Sequence, residues 1–84
     1  MPEVSRFYGI VILMWPNDHP PPHFHARCGS QEIAVYLDGS ARGDFPVRKL
    51  KLIRKWLTLH GEELALNWSL LEHGVMPRYI EPLD

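Results

Sequence analysis

The chain has 84 residues, 45% hydrophobic and 23% charged, with 9 basic against 10 acidic side chains for a formal charge of −1. That balance excludes a disordered acidic tail and a globally basic nucleic-acid binder, and the length favours one small domain spanning residues 1–84 over a catalytic unit joined to a regulatory one. One cysteine, Cys28, excludes an intramolecular disulfide framework. The opening Met1-Pro2-Glu3-Val4-Ser5 lacks the basic and apolar regions of a signal peptide, and the longest apolar run, Tyr8 to Trp15, is far short of the ~20 residues of a membrane helix. The expectation is a cytoplasmic protein with no membrane association.

Residues 7 to 15, Phe-Tyr-Gly-Ile-Val-Ile-Leu-Met-Trp, are rich in β-branched and aromatic types and stop at Pro16-Asn17-Asp18, the pattern of a central strand buried on both faces. After Pro20-Pro21-Pro22, the segments His23 to Cys28 and Gln31 to Asp38 flank Gly29-Ser30 and predict a hairpin. A two-residue turn there opposes residues whose numbers sum to 59. Side-chain chemistry supports that register: Phe24 meets Val35 and Ala26 meets Ile33 on an apolar face, while Arg27 meets Glu32, His25 meets Ala34 and His23 meets Tyr36 on the other. Asp38-Gly39-Ser40 starts another turn, and Ala41 to Phe45 suits a short edge strand.

From Pro46 the period becomes helical. Leu50, Ile53, Trp56, Leu57 and His60 share one arc, and Lys51, Arg54, Lys55 and Thr58 the opposite one. A second helix is predicted from Glu62 to His73, with Leu64, Trp68 and Leu71 inward and Gly74 as its stop. The tail from Met76 carries Pro77 and Pro82 and reads as extended. The fold class that follows is α+β, a three- or four-stranded mainly antiparallel sheet followed by two helices packed on one face, that of Phe24, Ala26, Ile33 and Val35.

Chemistry concentrates in Asp18-His19-Pro20-Pro21-Pro22-His23-Phe24-His25, three of the five histidines and a carboxylate within eight residues. Strand alternation puts His23 and His25 on one face, near enough to share an ion, and a proline-stiffened turn holds Asp18 and His19 near the same edge. Imidazoles with one carboxylate suit a divalent transition metal such as Zn, Fe, Ni or Mn, and three protein ligands with an open position is the catalytic arrangement. Without metal, His23 or His25 suits general acid–base work near pH 7, with Arg27 binding an anion beside Tyr36. A purely structural part is also open: imidazole bonding a turn carbonyl, Asp18 accepting backbone N–H groups and His23 stacking on Tyr36. No nucleophile motif accompanies these residues. Cys28 reads as a small apolar residue on the core face, Trp56 and Trp68 as core, and Trp15 as the aromatic placed to line a pocket.

Charge is segregated along the chain. Residues 47–60 hold five bases and no acid, whereas residues 61–84 hold one base and five acids. The basic residues Arg48, Lys49, Lys51, Arg54 and Lys55 suit either phosphate contacts or a solvated helix face, and no recognised nucleic-acid motif joins them. The Ala41 to Phe45 edge offers strand addition to a partner or a second copy, unless the tail folds back along it.

Phe7-Tyr8-Gly9-Ile10-Val11-Ile12, Asp18-His19-x-Pro21-Pro22-His23-Phe24-His25-Ala26, the Leu50 to Trp56 helix, Asn67-Trp68 and Ile80-Glu81-Pro82-Leu83 together resemble a family of small bacterial proteins catalogued as a domain of unknown function with a Pro-Pro-His-Phe-His motif. The resemblance implies a bacterial cytosolic protein and brings no activity, cofactor or catalytic residue with it. Such genes often lie beside another small gene, which implies a two-component, toxin–antitoxin-like arrangement with a small partner protein. Whether the protein is an enzyme is left open. The functional expectation is a His-rich site of Asp18, His19, His23 and His25 for a metal or an anionic ligand, and the competing one is a non-catalytic partner of protein or nucleic acid.

Overall fold

The computed structural model describes residues 3–84. Five strands, β1 (Glu3–Phe7), β2 (Ile10–Leu13), β3 (His23–Cys28), β4 (Gln31–Tyr36) and β5 (Ala41–Arg42), precede one helix, α1 (Val47–Glu72). Each strand pairs antiparallel with the next, giving the sheet order β1-β2-β3-β4-β5. The α+β class and the antiparallel sheet stand, but among the described residues the strands number five and one helix replaces the expected two.

The extra strand comes from the segment expected to be one central strand. Tyr8 and Gly9 take φ of 51° and 76°, so both central residues of a two-residue turn are left-handed, as a type I′ hairpin requires. The run from Phe7 to Trp15 therefore folds back on itself, Phe7 opposite Ile10, and β3 becomes the central strand. β3 and β4 pair as the sum of 59 predicts, from His23 opposite Tyr36 to Cys28 opposite Gln31. The edge strand is shorter than Ala41 to Phe45 and spans two residues.

α1 runs through the boundary expected between two helices, with a kink where His60 leaves helical geometry (φ −124°, ψ 21°). His60-Gly61 contains no proline and Gly61 stays helical, so backbone hydrogen bonding resumes at once and the two amphipathic patterns become one bent helix. The His60 ring Nδ1 lies 2.5 Å from Glu63 Oε1 beside the kink. At the C-terminus the Val75 N–H donates to the Leu70 carbonyl (2.8 Å) and the Gly74 N–H to that of Leu71 (3.1 Å), with Gly74 at φ 72°. That is a Schellman stop, which glycine adopts without steric cost.

The core lies between α1 and the face of Ile12, Phe24, Ala26, Ile33 and Val35. Trp56, fully buried, packs its ring on Phe7 (5.2 Å between centroids) and edge-on to Phe24 (5.7 Å). The tail is extended and closes the β1 edge, not the β5 edge: the Ile80 N–H donates to the Val4 carbonyl (2.7 Å). Ile80 is buried in the core while Tyr79 points out, 60% exposed. Trp56 Nε1 donates to the Glu81 carbonyl (2.8 Å), and Asn67 grips Arg78 twice, Nδ2 to its carbonyl and Oδ1 from its N–H, both 2.8 Å. Among the described residues no helix is long and apolar enough to cross a membrane.

Candidate metal centre

Strand alternation turns Phe24 and Ala26 into the core and leaves His23 and His25 on the other face of β3. The loop from β2 places Asp18 over them. Asn17, at φ 61°, turns the chain there, a conformation asparagine tolerates better than most residues. Asp18 Oδ2 lies 3.0 Å from His23 Nε2 and 3.0 Å from His25 Nε2, and its Oδ1 accepts the His19 backbone N–H at 3.0 Å. One donor atom from each of Asp18, His23 and His25 falls within 4.8 Å of the others.

Hydrogen bonding restricts the His23 tautomer. Its Nδ1 lies 2.9 Å from the Pro21 carbonyl, which can only accept, so Nδ1 carries a hydrogen. In the neutral ring Nε2 then presents a lone pair, and Asp18 Oδ2 lies 3.0 Å from that nitrogen without forming a hydrogen bond to it. Two acceptors at 3.0 Å repel unless a proton or a cation lies between them. His25 is similarly enclosed, with Nε2 on Asp18 and Nδ1 3.6 Å from Glu32 Oε2. Burial works to raise the Asp18 carboxyl, but the His25 hydrogen bond, the His19 amide and attraction to the His23 and His25 rings outweigh it and hold the group below the ordinary carboxylate range. Asp18 is thus ionised as a ligand must be.

The back of the site is stiff. His23, 6% exposed, sits between the rings of Tyr36 (5.1 Å), His25 (5.1 Å) and Trp68 (5.3 Å). The front opens into a depression of about 590 Å³ whose lining includes His19, Tyr36, Asp38 and Arg42 as well as the three donors. His19 is exposed and gives the cluster its amide; its ring is not among the converging donors. Arg27 is occupied by Glu32, Nη2 to Oε1 at 3.2 Å. Trp15 lines a separate cavity of about 250 Å³ on the other side of Asp18, together with Trp68 and Leu71. Cys28 is half-buried at the end of β3.

Three participants went unread in the sequence: Glu32 behind His25, Trp68 against His23, and Arg42 at the far rim. Arg42 was traceable through the sheet register, since it opposes Ala34, which opposes His25. Trp68 was not, because its approach depends on the bend at His60.

The basic stretch of α1 is partly spent on the fold. Lys49 Nζ donates to the Tyr8 carbonyl in the β1–β2 turn, and Arg54 Nε to the Gly39 carbonyl in the β4–β5 turn (3.0 Å). Arg48, Lys51 and Lys55 remain exposed.

No curated protein and no solved structure matches the chain. Residues 9–69 match the family described as Domain of unknown function (DUF4160), a span that takes in the His-rich loop, both halves of the β3–β4 hairpin and α1 as far as Ser69, and leaves the Ile80 to Leu83 tail outside. With 61 of its 84 residues inside that match, the chain belongs to the DUF4160 family.

Proposed function

We propose that this protein binds a divalent transition metal through Asp18 Oδ2, His23 Nε2 and His25 Nε2, with the remaining coordination positions facing the depression. The observation that carries the reading is the pair of 3.0 Å separations from one carboxylate oxygen to two imidazole nitrogens, one of them a lone-pair nitrogen in its neutral tautomer. Metal–ligand bonds of about 2.1 Å place neighbouring ligands about 3.0 Å apart at right angles and about 3.4 Å apart in a tetrahedron, so the two separations fit a ligand shell, as that of His25 also fits a hydrogen bond. Two histidines and one carboxylate form a set used by zinc and by non-haem iron, and three protein ligands leave room for water or a ligand. The Pro21 carbonyl bonded to His23 Nδ1 and Glu32, 3.6 Å from His25 Nδ1, support the reading, because groups in these places orient ligating imidazoles.

Elemental analysis of protein purified without tag or chelator, followed by Zn²⁺ and Ni²⁺ titration of the stripped protein, tests this directly. Near-stoichiometric, saturable binding lost in the His23→Ala/His25→Ala double variant is the expected result. Acidification should release the metal, because protons compete for the ligand nitrogens. Stripped wild type that takes up no metal would leave the three groups as a proton-bridged structural cluster and end the metal reading.

A further inference from the structure

The cross-strand row that carries His25 runs Glu3, Leu13, His25, Ala34, Arg42, each residue directly opposite the next. Directly opposed residues share a face, so Arg42 stands on the face of the metal ligands, two strand spacings or about 10 Å from His25 along the sheet. Between them lies only the methyl of Ala34. Both ends line the same depression of about 590 Å³.

Arg42 differs from the other guanidinium groups on this face. Arg27 is held by Glu32 and Arg6 by Glu3, whereas the Arg42 guanidinium has no hydrogen bond or ion pair with any described residue. Asp38, which also lines the depression, turns Oδ1 onto Ser40, accepting from its N–H (2.9 Å) and its Oγ (2.6 Å). A divalent ion with one ligating carboxylate and two neutral imidazoles carries a net charge of +1. Adding Arg42 and subtracting Asp38 leaves the depression positive, with an electrophilic ion at one end and a planar five-donor fork at the other.

We infer that the depression is a small-oxyanion site, in which a phosphate or carboxylate ligand spans Ala34 with one oxygen on the open metal position and another on Arg42. The inference rests on the metal reading above and names its ligand class. Tyr36, half-buried against His23 and lining the same depression, adds a phenolic hydroxyl beside the ligand. Ala34 is the specificity element, because any larger side chain there fills the space between the two poles.

The test uses the full chain loaded with Co²⁺, whose visible spectrum responds to a change of ligand, titrated separately with inorganic phosphate and with acetate. Wild type should show a saturable spectral change with at least one anion, and the tighter of the two assigns the headgroup. Arg42→Gln should weaken that response about tenfold or more while leaving Co²⁺ affinity unchanged, since it removes a charge-assisted hydrogen bond to the anion. Ala34→Leu should block it by filling the space, again without loss of Co²⁺. If cobalt binds and neither anion alters the spectrum, or if Arg42→Gln titrates as wild type does, the oxyanion site is overturned and the metal centre stands. A wild type that binds no cobalt in direct titration overturns both.

Discussion

Replacing Asn67 by alanine tests whether the tail is part of the folded unit. Asn67 is 1% exposed and satisfies the two backbone groups of Arg78 at once, donor and acceptor both at 2.8 Å. Losing the amide removes two hydrogen bonds worth about 1 kcal/mol each, or about 2 kcal/mol if the tail keeps its place. If the tail peels away instead, the fully buried Ile80 is released as well, which adds roughly 2 kcal/mol. The loss therefore falls at about 2 to 4 kcal/mol, and for a domain of this size each kcal/mol moves the melting temperature by about 4 to 8 °C. Urea denaturation gives the free energy, and amide exchange at Ile80, whose N–H is bonded to the Val4 carbonyl, reports whether the tail has left. Asn67→Asp should do at least as much damage, because it keeps the shape but sets a carboxylate oxygen against the Arg78 carbonyl. A loss below about 0.5 kcal/mol, with the Ile80 amide still protected, would refute the clamp.

Zinc at a free concentration of 100 times its dissociation constant should stabilise the fold by about 2.7 kcal/mol, less whatever affinity the unfolded chain keeps through its clustered histidines, and a chelator should reverse the shift in a thermal melt. The two imidazoles should separate in the metal-free protein: His23→Ala, which empties a buried position between three rings, should cost about 2 to 3 kcal/mol, and His25→Ala, which is partly open to solvent, about 1 kcal/mol. Equal losses in chemical denaturation would contradict the difference in their surroundings. Ser5, fully buried in β1, has a hydroxyl with no hydrogen-bond partner among the described residues, so Ser5→Ala should raise stability by about 1 kcal/mol, and a destabilised variant would show that the hydroxyl is satisfied.

The β3–β4 hairpin was legible to the residue because two independent constraints, turn length and the chemistry of opposed pairs, agreed on one register. The first hairpin was not. A run of β-branched and aromatic residues carries no alternation to reveal a fold-back, and a left-handed tyrosine is an unusual partner for Gly9 in the turn. The helical periods were right on both sides of His60, but a kink and a loop look alike in a pattern of apolar residues, and only backbone hydrogen bonding separates them. At the site, spacing alone put His23 and His25 on one face of β3. The position of Asp18 needed the left-handed Asn17, and the exclusion of the His19 ring from the cluster needed the path of the proline loop, neither of which a strand or helix period encodes.

The unbroken helix matters to the site as well as to the fold. Beyond His60 the second half of α1 carries Trp68 to within 5.3 Å of His23, and the residue before it, Asn67, holds the tail. One turn of helix thus packs the wall behind His23, a proposed metal ligand, and fastens the segment that closes the β1 edge. His23 is fixed by that tryptophan, by Tyr36 and by the Pro21 carbonyl, which together hold its Nε2 3.0 Å from Asp18 Oδ2. Rotamer freedom that a loosely held ligand would lose on binding has already been lost on folding, which lowers the cost of collecting the metal. His25 and Asp18 lie nearer solvent on the other side, where the depression begins. A rigid imidazole at the back and an open front suit the proposed centre, which would have to hold its ion and still admit a second molecule.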